Sequence, residues 1–293
     1  MAAQILPATF LSPSALADRG LSRHAVAGLV GRGVLIRLRN GRYVSAEAPR
    51  GLIEAGRVGG RLDCVSLLAA LGVFVRLSHP LHAQFEPSTT RLPARQGVVA
   101  HWRRSRAEPT ALAADLVEAL AQACRCQSPR DAVATLDSAW HHGLIDEGDL
   151  RDIFRRLPRR YRSLRRLLDR RSESGAETLM RLLLRGLGAE VQVQVRIEGV
   201  GRVDLVVDGW LIVECDSRAF HEGWEAQKRD RARDIAAAAL GYTTVRPLAE
   251  DILYRMPSVV ELMKAIVAHG PRPNLQNSTD SSLRNRRAVL IGR

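Results

Sequence analysis

The sequence predicts a multidomain chain of mixed class, α+β in its N-terminal part and α/β in its C-terminal part. Three observations lead there. The first fifty residues hold two short segments of helical period followed by a tight hairpin. Residues 111–157 repeat apolar side chains at helical spacing, with Leu112, Leu116 and Leu120 as the clearest set. Past residue 174 come a helix, three valine-rich strands and a polar helix, and the strands carry carboxylates. A chain of 293 residues has room for two or three such domains.

The formal charge is +13, and arginine supplies almost all of the positive side chains. The planar arginine fork matches phosphate, so nucleic acid is the favoured partner of this composition. An arginine-rich coding bias would give the same balance without such a partner. The longest apolar run, residues 64–75, is too short to span a bilayer. The N-terminus lacks a basic segment followed by a long apolar one, so neither a membrane anchor nor a secretory signal is expected. Cys64, Cys124, Cys126 and Cys215 show no paired CxxC spacing. Free thiols without a disulfide framework suit the cytoplasm. Cys124 and Cys126 alone are a weak zinc signal.

Taken in order, Ser12-Pro13 caps a first short helix and Ser22 a second, with Val26, Leu29 and Val30 on its apolar face. Gly31 and Gly33 end that helix. Two strands follow around Asn40-Gly41, a hairpin signal. Helix, turn, helix and two-stranded wing make a winged helix-turn-helix over residues 1–50. Arg23, His24 and Arg32 on the helical part, and Arg37, Arg39 and Arg42 on the wing, are the candidate DNA contacts. A winged helix used for protein contact is the plainer alternative. Leu21-Ser22-Arg23 and the run from Gly33 through Gly41-Arg42-Tyr43-Val44 also resemble the N-terminal domain of the type IV abortive-infection antitoxin and transcriptional-regulator family.

Residues 51–158 read as a mixed α/β and helical middle region. A helix is expected from Cys64 to Leu71, a β-like piece over residues 97–102, and helices over 111–126, 129–142 and 146–157. His79, His82 and His101 have no Cys or carboxylate at ligand spacing, so they read as ordinary loop and strand residues. Pro158 breaks the pattern. Residues 159–171 form the densest basic run, expected as an amphipathic helix with Leu164, Leu167 and Leu168 inside. Its arginine face is either simply solvated or tracks phosphate.

Ser174-Gly175-Ala176-Glu177 opens the next helix with the pattern of a capping box, Glu177 reaching back to the Ser174 N–H. Two roles are open to Glu177, that cap or a carboxylate facing the sheet. After a strand over residues 191–197, Val203 to Val207 and Leu211 to Val213 flank Asp208-Gly209, a second hairpin signal. Asp204, Glu214 and Asp216 are carboxylates where strands disfavour them. A two-residue turn would pair Val207 with Trp210 and point Glu214 to the other face. A three-residue turn pairs Val207 with Leu211, sets Asp204 opposite Glu214, and leaves Asp216 on the same face. We take the second register, which predicts an oxygen-rich site for Mg²⁺ or Mn²⁺.

Over residues 174–247 the chain resembles the nuclease-like domain related to very-short-patch-repair (Vsr) endonucleases, within the PD-(D/E)xK superfamily. The motifs are Ser174-x-x-Glu177, Val203-Asp204-Leu205, Val213-Glu214-Cys215-Asp216, Phe220-His221, Arg229-Asp230-Arg231-Ala232-Arg233-Asp234, and Leu240-Gly241-Tyr242 with Val245-Arg246. The resemblance implies a restriction-endonuclease-like α/β/α domain, placed at residues 159–269; the Pro-, Asn- and Ser-rich composition of residues 270–293 predicts a disordered tail. It implies Asp204, Glu214 and the Cys215 carbonyl as metal ligands and His221 as general base or leaving-group acid. Glu177, Asp216 and Lys228 join the implied catalytic set, and Arg231 the phosphate contacts. Asp216 stands where the superfamily has Lys, and Ser217 where Gly is common. The implied activity is metal-dependent hydrolysis of double-stranded DNA. The rival expectation is a non-enzymatic regulator or antitoxin, partnered by a cognate toxin, on a retained nuclease fold.

Overall fold

The computed structural model describes residues 9–90, 96–216 and 224–270. Twelve α-helices and three small sheets make up these residues. They divide into two compact units that meet at Arg170 and Arg171. The basic run thus falls in the first unit, whereas the sequence reading opened the nuclease-like domain at residue 159.

In the first unit, α1 (Pro13–Ala17) and α2 (Arg23–Gly31) begin where Ser12 and Ser22 accept the N–H groups of Ala15 and Ala25. These bonds satisfy amides that a helix start leaves without partners. Strands β1 (Leu35–Arg39) and β2 (Arg42–Ser45) pair antiparallel, with an irregularity between Arg37 and Arg39. Leu16, Val26 and Leu35 form a small core between the helices and this hairpin. The opposite face of the hairpin does not stand alone. Leu38 and Val44 join Leu52, Leu62, Ala83, Phe85 and Leu112 in one larger core.

That larger core is built by α3 (Arg50–Arg57), β3 (Arg61–Leu62), α4 (Cys64–Ala70), β4 (Leu81–Phe85), β5 (Val98–Trp102) and α5 (Leu116–Cys126). β3 pairs antiparallel with β4, and β4 runs parallel to β5. Helix α5 starts later than its leucine spacing suggests. Leu62 exchanges backbone hydrogen bonds with Leu112 and Ala114, so residues 111–114 extend the sheet edge before Asp115 caps the helix. Helices α6 (Pro129–His141) and α7 (Glu147–Arg156) follow, the latter opened by a capping box between Asp146 and Asp149. The basic run is not one long helix. A 3₁₀ turn at Arg159–Tyr161 leads into α8 (Arg162–Arg165), where Leu164 alone of its three leucines is buried.

The second unit opens with α9 (Gly175–Gly186), whose buried side carries Leu179, Met180, Leu183 and Leu184. Its sheet has the order β6 (Val191–Ile197), β7 (Gly201–Val207), β8 (Leu211–Val213), β9 (Thr243–Val245). The first three strands are an antiparallel meander, and β8–β9 is parallel because α10 (Trp224–Ala239) makes the crossover. Val203, Val206, Ile212 and Ala237 share a core, which explains the small residues at the end of α10. Helix α11 (Ala249–Tyr254), absent from the sequence expectation, precedes α12 (Met256–His269). The tail expected to be disordered lies outside the described residues. Among those described, no helix is long and apolar enough to cross a membrane.

Candidate functional site

The hairpin β7–β8 takes the three-residue register. Asp208 and Gly209 both adopt left-handed backbone, at φ 49° and 72°, and the Trp210 N–H reaches the Val207 carbonyl at 3.1 Å. Val207 pairs with Leu211, Val206 with Ile212 and Leu205 with Val213. The pairing ends at Leu205 and Val213, one residue before Asp204 and Glu214. Left-handed geometry costs Gly little and Asp less than most residues, so Asp208-Gly209 is the local cause of the alignment.

The two carboxylates nevertheless have separate partners. Asp204 Oδ2 accepts the Cys215 N–H at 2.9 Å, and Oδ1 accepts the Gln194 side-chain amide at 3.3 Å. The same amide donates to Glu177 Oε2 at 2.9 Å, so Gln194 bridges α9 to β7. Gln194 itself sits at φ 52° inside β6, a strained place for a non-glycine residue. Glu214 instead is ion-paired with Arg233 at 2.9 Å and, closely, with Arg246. Arg246 also holds Asp234, and Arg233 reaches the carbonyls of Val200 and Arg202.

Glu177 departs from the capping-box expectation. The Ser174 hydroxyl accepts the Glu177 N–H at 3.1 Å as expected, but the Glu177 carboxylate accepts the N–H of Glu173, not of Ser174. The same carboxylate oxygen also accepts the Gln194 amide, so it joins the helix start to the sheet. Burial pushes the carboxyls of Glu177, Asp204 and Glu214 above their ordinary values. The Asp204 charge adds to the rise of Glu177 and of Glu214, while Arg246 and Arg233 oppose it at Glu214. Burial, with the charges of Asp204 and Glu177 beside it, also lifts the Cys215 thiol well above its ordinary value.

Asp216 is exposed, and its backbone is tied to Pro247 and Ala249. Lys228 Nζ and the Arg231 guanidinium both lie over the Trp224 ring, at 5.5 and 5.4 Å from its centroid. Positions 224, 228 and 231 share one helix face, which is why two cations gather there. His221 and Ser217 lie outside the described residues.

Of the N-terminal candidates, Arg23, His24, Arg32 and Arg37 are exposed. Arg37 donates to Asn40 at 2.5 Å. Arg39 and Arg42 are half-buried, and Arg42 stacks over Phe10 at 4.6 Å. Burial, with Arg39 and Arg61 nearby, lowers the Arg42 pKa, so this arginine is partly committed to the fold.

A second cluster was not legible from spacing. Cys64, His82, His101 and Cys126 each place a ligand atom within 4.8 Å of the other three. His82 and His101 read from the sequence as ordinary loop and strand residues with no Cys at ligand spacing; they do lie on strands, and the fold brings Cys64 and Cys126 to them. His82 and His101 lie on the parallel pair β4–β5, where Gln84 is the partner of His101, so both imidazoles share one face of the sheet. His82 Nδ1 and His101 Nε2 are 3.0 Å apart, and Cys126 Sγ is 3.9 Å from the latter. The Cys64 thiol donates to Cys126, which holds the Cys126 sulfur well below the usual thiol range and pushes that of Cys64 far above it.

Comparison of the chain with protein-family profiles, with curated proteins and with solved structures returned no match.

Proposed function

We propose that the chain is a DNA-binding protein whose C-terminal unit hydrolyses DNA phosphodiesters with Mg²⁺ or Mn²⁺. In this reading α1, α2 and the β1–β2 hairpin act as a winged helix-turn-helix, and α9 through α12 with their sheet as a PD-(D/E)xK-like nuclease domain of the cytoplasm. The observation that carries it is Gln194 joining the carboxylates of Glu177 and Asp204, with Glu214 one residue beyond the last pair of the three-residue register. Neutral donors reach Asp204 and Glu177, and burial lifts both carboxyls. Carboxylates held this way, Glu177 buried and Asp204 half-buried, are relieved by a cation, and an all-oxygen donor set suits a hard one.

Asp204, Glu214 and the Cys215 carbonyl are the ligands in this reading, with Glu177 beside them. A divalent ion bound there supplies positive charge to offset what builds up on the phosphodiester during hydrolysis. Gln194 and the Cys215 amide hold the Asp204 carboxylate in one orientation. Lys228 and Arg231, gathered over Trp224, offer contacts to the DNA backbone, as do Arg23, Arg32 and Arg37.

One observation favours a second reading, a non-enzymatic regulator or antitoxin with the nuclease fold as scaffold. Glu214 is held by both Arg233 and Arg246, so its charge is already matched. Nicking of supercoiled plasmid with Mg²⁺ or Mn²⁺ separates the two. The nuclease reading expects cleavage by the wild type that is lost in Asp204→Ala and in Glu214→Ala. Absence of cleavage, with tight and salt-sensitive duplex binding, would select the regulator.

A further inference from the structure

We propose that Cys64, His82, His101 and Cys126 form a four-coordinate zinc site that fastens together the first compact unit. The four ligand atoms come from the start of α4, from β4, from β5 and from the end of α5, and all lie within 4.8 Å of one another. In a tetrahedral zinc site, with Zn–S about 2.3 Å and Zn–N about 2.0–2.1 Å, ligand atoms are separated by roughly 3.3–3.8 Å. The 3.0 Å between the two imidazole nitrogens and the 3.9 Å from Cys126 Sγ to His101 lie on either side of that range. Small side-chain adjustments would close the coordination sphere without moving the backbone.

The donor set selects the metal. Thiolate and imidazole ligands favour zinc over Mg²⁺ or Mn²⁺, which take oxygen. Two thiolates neutralise the dication, so the assembled site carries no net charge, and this permits burial. Cys64, His82 and His101 are buried, while Cys126 is exposed and leaves a route for the ion. Four protein ligands leave no open position, which assigns the site a structural role. On binding, the sulfurs release to solvent whatever protons they carry, and nothing is oxidised or reduced.

The surroundings hold the ligands in place. Cys64 has left-handed backbone, φ 53°, an unusual conformation for a residue with a Cβ. It follows Asp63, which is fully buried and gripped by both arms of the Arg103 guanidinium at 2.5 and 2.8 Å. The Gln122 amide donates to Cys126 Sγ at 3.4 Å, and the His82 N–H is fixed by Ser66 at 2.9 Å. Such supporting contacts orient metal ligands.

The test uses the untagged full chain, reduced and stripped of metal, then titrated with Zn²⁺ against a chromophoric chelator, with metal content measured by mass spectrometry. Cobalt is substituted in parallel. The proposal expects one zinc per chain, undisturbed by excess Mg²⁺, and a cobalt form with tetrahedral visible bands and a thiolate charge-transfer band. Cys126→Ser and His101→Ala should weaken zinc binding roughly tenfold or more, and Cys124→Ala should not. The cobalt spectrum of the wild type stands even where a variant fails to fold. Failure of the reduced wild type to bind stoichiometric zinc, or binding unchanged in both ligand variants, would overturn the proposal. So would protein isolated without reductant that carries a Cys64–Cys126 disulfide, two hydrogens lighter, in place of metal.

Discussion

Two aspartates, one fully buried and one half-buried, settle their charge in opposite ways. Asp63 in the first unit is fully buried and faces a guanidinium that holds both of its oxygens. Asp204 in the second is held by a backbone N–H and a side-chain amide, with the Glu177 carboxylate on the same amide. The first arrangement is complete within the chain, and its neighbours Cys64, His82, His101 and Cys126 form a compact donor set of sulfur and nitrogen. The second carries excess negative charge that burial makes more costly. Charge compensation, more than residue type, separates a part that serves the fold from a part poised to bind.

The largest effect expected from this contrast is on metal removal. A structural zinc contributes on the order of 10 kcal/mol of apparent binding energy in small zinc-dependent domains. Chelation of the reduced, zinc-loaded protein should therefore lower the melting temperature of the first unit by roughly 20–40 °C, followed by calorimetry. An unmoved transition would mean that the cluster does not hold the unit together.

Next in size is Arg103→Ala. It leaves the Asp63 carboxylate buried without its cation, and removal of one partner of a buried pair costs about 3–5 kcal/mol. Urea unfolding of the wild type and the variant would measure this. A loss under about 1 kcal/mol, the scale of a surface pair, would erase the distinction drawn between Asp63 and Asp204.

The smallest effect has the opposite sign. A carboxyl whose folded pKa lies above its unfolded value binds its proton more tightly in the fold. Its stabilising contribution is full below the unfolded value and is lost as pH rises through the folded one. Glu177 and Glu214 are raised from 4.5 and Asp204 from 3.8, so the second unit should lose stability as pH climbs from the acid range toward neutrality. Asp204→Asn should flatten that decline and raise the melting temperature at neutral pH by roughly a few degrees, with little change in acid. A variant that melts lower at neutral pH would show that the Asp204 charge is not a liability to the fold.

The sequence was legible where its information is local. Ser12, Ser22 and Ser174 cap helices as their spacing suggested, and Asp208-Gly209 set the hairpin register. Local rules failed where a distant strand or side chain competed. The start of α5 yielded to Leu62, and the Glu177 carboxylate took the Glu173 N–H and the Gln194 amide in place of the Ser174 N–H. Among the arginines of the β1–β2 hairpin, Arg42 stacks over Phe10, a distant partner that local sequence does not announce.

By itself, then, the sequence determined the serine-capped helix starts and the two tight hairpins, because each depends on the conformational preferences of a few consecutive residues. Only the tertiary structure decided that Arg233 and Arg246 would claim Glu214 and that β1–β2 would share its core with α3 and the sheet beyond it. It alone also gathered Cys64, His82, His101 and Cys126. Their ligand atoms hang from four different elements, and no spacing along the chain encodes a meeting that depends on how a parallel strand pair and two helices pack.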